Sequence, residues 1–329
     1  MTMGENALLE IRNLKTYFFT DKGVVPAIDD VSIRVDKRKI VGIVGESGCG
    51  KSVTSLSVLQ LVAPPGKIVE GKILFNEKNL LHASPAEIRS IRGSEISMIF
   101  QEPMTSLNPV YTVGKQVAEA LLIHNQNITK EEAKKKVIEM FSLVGIPEPE
   151  KRYSVYPHQL SGGLRQRVMI AMALVCRTKL LIADEPTTAL DVTIEAQILN
   201  LMKNLQKEID TSIILITHNL GVVAEMCDDV YVMYAGKIME QGDVFELFDN
   251  PLHPYTEGLL QSIPRGGDQE DNKRRLYSIK GMVPNLLYLP KGCRFYPRCE
   301  YGMDICKDQE PQLIDKGNGH LVRCFKYDK

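Results

Sequence analysis

The octapeptide Gly45-Glu46-Ser47-Gly48-Cys49-Gly50-Lys51-Ser52 matches G-x-x-x-x-G-K-[ST] in full, and no other stretch constrains the fold as tightly. Before it, Ile40-Val41-Gly42-Ile43-Val44 is an apolar run with the length of a buried strand. After it, Val53, Leu56, Leu59 and Gln60-Leu61 suit a helix that stops before Pro64-Pro65. A glycine-rich loop between strand and helix turns backbone N–H groups inward around phosphate oxygens, and the helix start adds unpaired donors and partial positive charge. In such a loop Lys51 reaches the β- and γ-phosphates and the Ser52 hydroxyl ligates Mg²⁺. The chain is therefore expected to build an α/β domain around a nucleoside triphosphate.

The flanking sequence supplies the rest of that domain. Residues 8–44 alternate apolar and polar positions between turn signals, as antiparallel strands do. From about 110 to 175 the period is helical. Thr129 and Glu132 form a capping box, followed by one apolar face of Ala133, Val137, Met140, Phe141 and Val144. Leu164, Val168, Ala171, Met172 and Val175 give a second stripe, and both stripes read as core packing. The apolar runs 180–183 and 213–216 end on Asp184-Glu185 and on Thr217-His218, as parallel strands do that deliver functional side chains at their C-terminal ends. Asp184 is expected to hold Mg²⁺, directly or through water, and Glu185 to polarise the attacking water. An acid pair after a strand is also what a helix N-cap looks like; the phosphate loop favours the functional reading. Residues 230–242 alternate around Ala235-Gly236 as a hairpin. Near residue 264 the composition shifts to PRGGDQEDNKRR, a linker by composition. No internal repeat is visible, so one ATPase unit is expected.

Bulk properties narrow the function classes. A chain of 329 residues suits one large α/β domain plus an appendage, and 44% hydrophobic residues can bury a sizeable core. Lys+Arg at 40 against Asp+Glu at 41 gives no global field for nucleic acid or anionic lipid. Lys134-Lys135-Lys136 reads as a solvated helix face. No apolar run has the roughly 18 residues of a membrane span, and no secretion signal is visible, so a cytosolic place with free thiols is expected.

The segment Leu160-Ser161-Gly162-Gly163-Leu164-Arg165-Gln166-Arg167 identifies the kind of phosphate-loop protein. It resembles the LSGGQ-type signature of ABC ATPases, with leucine at 164 where glutamine is commoner. Gln101 resembles the Q-loop glutamine that senses Mg²⁺, Ala189-Leu190-Asp191 the D-loop, and His218 the switch histidine at the γ-phosphate. Phe18, or its neighbour Tyr17, is the expected aromatic on adenine. The resemblance covers roughly residues 8–262. It implies a RecA-like core, an antiparallel β subdomain and a helical subdomain near 105–175, the cassette occupying residues 1–262. It further implies a head-to-tail dimer with a second ABC ATPase subunit, identical or closely related, in which Ser161, Gly162 and Gly163 complete the partner's ATP site.

Asn250-Pro251-Leu252-His253-Pro254-Tyr255-Thr256 and the Cys-rich tail resemble the C-terminal extension of di- and oligopeptide importer ATPases, the dipeptide type most of all, whose near relatives also carry nickel. The resemblance implies separate membrane permease subunits, an extracytoplasmic substrate-binding protein acting indirectly, and a place at the cytoplasmic face of the membrane. Residues 263–329 are expected to form a small Cys-rich domain. Its Cys293, Cys299, Cys306 and Cys324 are spaced C-x5-C-x6-C-x17-C. Close C-x2-4-C pairs typical of structural zinc are missing, so this spacing favours an iron–sulfur cluster, 4Fe–4S, over Zn²⁺, with redox or plain structural thiols as further readings. Arg294, Arg298 and Arg323 flank the thiols and are expected to offset the cluster's charge. Cys49, Cys176 and Cys227 read as small packing residues. The rival function is a soluble ABC ATPase acting on ribosomes or DNA. Its families carry clusters ahead of two fused cassettes, or long inserts, and this chain has neither.

Overall fold

The computed structural model describes residues 6–101, 106–188, 190–263 and 277–328. In chain order its elements begin with β1 (Ala7–Thr20), β2 (Gly23–Asp36), β3 (Ile40–Val44), α1 (Lys51–Val58), β4 (Gly66–Phe75), β5 (Lys78–Asn79), α2 (Pro85–Ile91) and β6 (Ile96–Ile99). Next come α3 (Val113–His124), α4 (Lys130–Leu143), α5 (Pro149–Arg152), α6 (Gly162–Leu174), β7 (Leu180–Asp184), α7 (Val192–Glu208) and β8 (Ser212–Thr217). The chain continues through α8 (Leu220–Met226), β9 (Asp229–Tyr234), β10 (Lys237–Asp243), α9 (Val244–Asp249), α10 (Pro254–Gln261), α11 (Ile305–Asp308), β11 (Ile314–Asp315) and β12 (Leu321–Val322). Two compact units result, one from residues 1–8, 35–40 and 79–216, the other from 9–34, 41–78 and 217–329.

The second unit carries the phosphate loop. Its antiparallel sheet runs β2-β1-β4-β5, with β1 and β4 in register from Leu9↔Phe75 to Phe18↔Gly66. Its remaining strands follow the order β11-β12-β10-β9-β3, where β3 and β9 are parallel. Every residue of β3 is buried, which is why its sequence is a continuous apolar run and not an alternation. Ala235 and Gly236 take positive φ of 46° and 85°, the left-handed pair that a two-residue turn between twisted strands requires. The tail joins the sheet: β12 pairs antiparallel with β10, Glu240 opposite Val322 and Gln241 opposite Leu321. The linker segment 264–275 lies outside the described residues.

α1 departs from the apolar pattern expected of it. It ends at Val58, and it buries Lys51, Thr54, Ser55, Ser57 and Val58, leaving Val53 and Leu56 half-buried. Burying hydroxyls costs little here because each has a partner. Thr54 Oγ1 donates to Gly50 O at 3.0 Å, and Ser57 Oγ donates to Val53 O at 2.7 Å while lying 3.0 Å from Thr16 Oγ1 of β1.

The first unit holds three parallel strands, β6-β7-β8, with Leu180 opposite both Ile96 and Ser212. Its helices pack α3 against α4 and α6. The capping box at the start of α4 is formed by Thr129 and Glu132, and Ala133, Val137, Met140 and Phe141 are buried. Lys134, Lys135 and Lys136 are exposed, as a solvated face should be. The buried face of α6 differs from the expected stripe. Leu164 and Met172 are only half-buried, whereas Gln166, Met169, Ile170, Ala173 and Leu174 join Val168 and Ala171 inside. A helix packed nearly all round shows no clean stripe. Among the described residues no helix is long and apolar enough to cross a membrane.

Candidate functional site

In the phosphate loop three glycines take left-handed backbone, Gly45 at φ 153°, Gly48 at 77° and Gly50 at 109°. A Cβ at Gly45 would meet Met233 O at 2.1 Å and one at Gly50 would meet Ala27 O at 2.5 Å, so both also need a bare backbone for space. Cys49 is fully buried; its carbonyl accepts from Gly236 N at 2.9 Å, tying the loop to the β9–β10 turn. Burial pushes its thiol up from the ordinary value. Lys51, buried, donates Nζ to Gly45 O at 2.7 Å and Glu46 O at 3.1 Å. Lys51 and Ser52 open α1, whose N-cap is Gly50. The loop thus presents a lysine, a hydroxyl and a helix start, which is what a triphosphate and a hard cation such as Mg²⁺ require.

The two aromatic candidates have different surroundings. Tyr17 Oη donates to Asp29 Oδ1 at 2.9 Å, and burial followed by that bond pushes its hydroxyl up to about 12. Asp29 is in turn held by Lys237 and Arg294; burial raises its pKa, and these two cations with the Tyr17 bond outweigh it, leaving it below the ordinary value. Phe18 lies on the face of β1 shared with Thr16, whose hydroxyl meets α1. His218 follows β8 directly and is exposed; the next residue, Asn219, caps α8 by accepting from Gly221 N at 3.0 Å.

The first unit brings Gln101 and Glu185 together. Glu185 accepts from Gln101 Nε2 at 3.1 Å and from Thr188 Oγ1 at 3.1 Å, and its φ of 46° is an uncommon conformation for a non-glycine residue. The preceding Asp184 closes β7 and is 3% exposed. Among the described helices neither acid is the N-cap; at the start of α7 that duty falls to Asp191, which accepts from Ile194 N at 3.0 Å. Ala189 of the D-loop lies outside the described residues. Ser161 caps the signature helix α6, accepting from Leu164 N at 3.4 Å, with Gly162 and Gly163 as its first residues. No sequence pattern singles out Gln166, yet it is 1% exposed and donates Nε2 to Pro186 O at 2.5 Å. It fixes the signature helix to the turn after Glu185. Flanked by Arg165 and Arg167, it carries no local signal that sets it apart, and its role appears only from its burial and its partner.

The tail grips the phosphate loop's own unit. Arg298 pairs with Glu46 of the loop, and the Glu46 N–H donates to Tyr255 Oη at 2.9 Å. Arg294 pairs with Asp29 and donates to Ala235 O at 2.5 Å, while Arg323 donates to Ile238 O at 2.9 Å and lies 3.6 Å from Asp30. The three arginines expected to balance a cluster are therefore engaged by carboxylates and carbonyls, because burying a guanidinium requires such partners.

Cys293, Cys299, Cys306 and Cys324 line one small recess together with His253. Burial pushes the Cys293 thiol up to about 12 and raises Cys299 and Cys324 as well. His253 is pushed down to about 4 by burial and stays neutral, its Nδ1 accepting from Tyr255 N at 3.0 Å. Among the described residues no group of three or more His, Cys, Asp or Glu side chains closes on a single metal ion. The cassette cysteines Cys49 and Cys227 are buried and Cys176 half-buried, as packing residues.

Residues 28–188 match the ABC transporter family and residues 239–306 match the oligopeptide/dipeptide transporter C-terminal region. The chain is 53% identical to the oligopeptide transport ATP-binding protein AppD of Bacillus subtilis (strain 168) across 98% of each chain. It is 51% identical to the dipeptide transport ATP-binding protein DppD of the same organism, across 98% of this chain and 95% of that one. Among solved structures it resembles the dimeric ATP-binding cassette MJ0796 in a post-hydrolysis state with ADP and Pi. There the identity is 25% and the TM-score 0.64, over 72% of this chain and 98% of that one.

Proposed function

The chain belongs to the ATP-binding proteins of oligopeptide and dipeptide ABC transporters, and from that premise we propose that it hydrolyses ATP to energise peptide import through separate membrane permeases. The observations that support the reading are the phosphate-loop backbone and the bonded Glu185 carboxylate. The loop 45–52 is built for a triphosphate, and Glu185 is held at its carboxylate by Gln101 and Thr188. Lys51 and the loop N–H groups take the phosphates, Ser52, Gln101 and Asp184 serve Mg²⁺, and His218 contacts the γ-phosphate. Glu185 orients and deprotonates the attacking water. Ser161, Gly162 and Gly163 serve the nucleotide of a second ABC subunit, and Asp191 lies beside that contact. Phe18 is favoured for adenine, since the Tyr17 hydroxyl is engaged by Asp29. Cargo is taken as peptide in general, because relatives named for oligopeptides and for dipeptides stand at 53% and 51% identity. An extracytoplasmic binding protein supplies it, and this subunit works at the cytoplasmic face.

The tail cysteines are proposed to hold a 4Fe–4S cluster. Four thiols line one recess, and their wide spacing along the chain, without close C-x2-4-C pairs, suits a cluster better than a single Zn²⁺. About four irons and four sulfides per chain after oxygen-free purification would support it; one zinc and no sulfide would replace it.

The main test is peptide uptake. Cells lacking this chain should lose uptake of labelled peptides and regain it with the wild-type protein. Glu185→Gln should not restore it: turnover should fall by about 100-fold or more, while ATP binding persists and an ATP-bound dimer accumulates. Normal turnover by that variant would remove Glu185 from the mechanism, and uptake unaffected by loss of the chain would remove peptides from the function.

A further inference from the structure

A carboxylate is a poor neighbour for a triphosphate. Glu46 is the second residue of the phosphate loop, its side chain 29% exposed, in a loop whose donors gather anionic oxygens. Left unbalanced, it would repel the ligand the loop is built to hold. Arg298 meets it fork to fork, Nη1 to Oε2 at 2.5 Å and Nη2 to Oε1 at 3.0 Å.

The guanidinium is fixed independently of that pair. The Arg298 side chain is 4% exposed, and it donates Nε to Lys280 O at 3.0 Å and Nη2 to Ile279 O at 3.3 Å. It also lies over the Tyr234 ring, 5.7 Å from the centroid. Little rotamer freedom remains to be lost when it engages Glu46. The Glu46 backbone is held as well. Its N–H donates to Tyr255 Oη, and the Tyr255 ring packs against Tyr234 and Phe295 at centroid distances of 4.7 and 5.3 Å. Lys51 Nζ donates to the Glu46 carbonyl, so the placement of Glu46 reaches the lysine that serves the phosphates.

From this geometry we propose that Arg298 is a positioning residue for ATP. Acting through Glu46, it cancels the carboxylate's repulsion of the triphosphate and sets the loop. The nucleotide affinity of the cassette therefore depends on a residue of the tail.

The full-length chain, titrated with ATP·Mg²⁺ in a hydrolysis assay, tests this. Arg298→Ala should raise KM by about tenfold with kcat within about twofold, because the lost interaction is with Glu46, whose unbalanced carboxylate then weakens nucleotide binding and leaves the water-activating group untouched. Arg298→Lys should recover part of the loss, since a point charge lacks the bidentate fork. The deciding variant is Arg298→Ala with Glu46→Gln, which removes the unbalanced carboxylate and should bring KM back to within about threefold of wild type. A double variant no better than Arg298→Ala, or an unchanged KM in Arg298→Ala, would overturn the proposal. Should Arg298→Ala fail to fold, Arg298→Lys alone and combined with Glu46→Gln carries the same comparison: KM raised in the first and recovered in the second supports the proposal, and no recovery overturns it.

Discussion

The glycines of the phosphate loop and those of the signature segment look alike in sequence and differ in what surrounds them. At Gly45 and Gly50 a Cβ would strike backbone carbonyls at 2.1 and 2.5 Å, and both residues have positive φ. At Gly162 the nearest atom is Leu190 Cδ2 at 3.7 Å, an ordinary contact, and at Gly163 it is Ile194 Cγ2 at 3.0 Å, a tight contact but with a side-chain methyl and not with main chain. The loop's glycines are required by the fold of their own unit. Those of the signature are little required by theirs, and their use fits an approach from outside the chain, as in a nucleotide held by a second subunit. One residue type thus answers to folding in one place and to recognition in another.

Substitutions should pull these two roles apart. The largest effect is expected of Gly45→Ala, which collides with main chain: a loss of more than about 3 kcal/mol in urea unfolding and no measurable ATP binding. Stable folding with normal binding would break the contrast. Next, Asp29→Asn weakens the wall behind the loop, because Asp29 pairs with Arg294 and Lys237, each 7% exposed, and its N–H bonds to Gly236 O. Since Glu310 also serves both cations, the cost should be about 2 kcal/mol. The pH sign follows from the depressed carboxyl of Asp29. Its stabilisation is complete above the ordinary value of 3.8 and is lost as pH falls toward the folded value, so Asp29→Asn should flatten the acid limb of a stability–pH curve. Gly48→Ala comes third. Its φ is 77° with nothing within 4 Å of a Cβ, so only the backbone conformation is charged, about 1 kcal/mol. Gly162→Ala should be smallest in stability, a shift in Tm of at most about 2 °C. It should nevertheless slow ATP turnover about tenfold. A large loss of stability there would mean that the signature glycine serves its own fold after all.

Local patterns carried much of this molecule and stopped where partners lie far apart in sequence. The phosphate loop, the Ala235-Gly236 turn and the Thr129–Glu132 capping box were legible because their causes lie within a few residues. The acids at the end of β7 were legible for the same reason. α1 misled because it buries hydroxyls whose bonds pass to its own carbonyls and to Thr16, and an apolar count cannot register that. In the sequence Arg298 reads as a charge beside Cys299. Its actual partner is Glu46, 252 residues away, and no local spacing encodes such a pair. Tyr255 reaches Glu46 over 209 residues in the same way.

The pairing of β12 with β10 bears on how the protein can be handled. β10 would otherwise offer an open row of backbone donors and acceptors beside the buried Glu240, which His320 meets at 2.7 Å. The sheet instead tapers through β12 to β11, a strand of two residues, Ile314–Asp315, too short to template another chain. A fragment cut after residue 262 would uncover the β10 edge and leave a buried carboxylate without its imidazole. Such a fragment should stick to itself, so the last strands act as the molecule's own guard against aggregation.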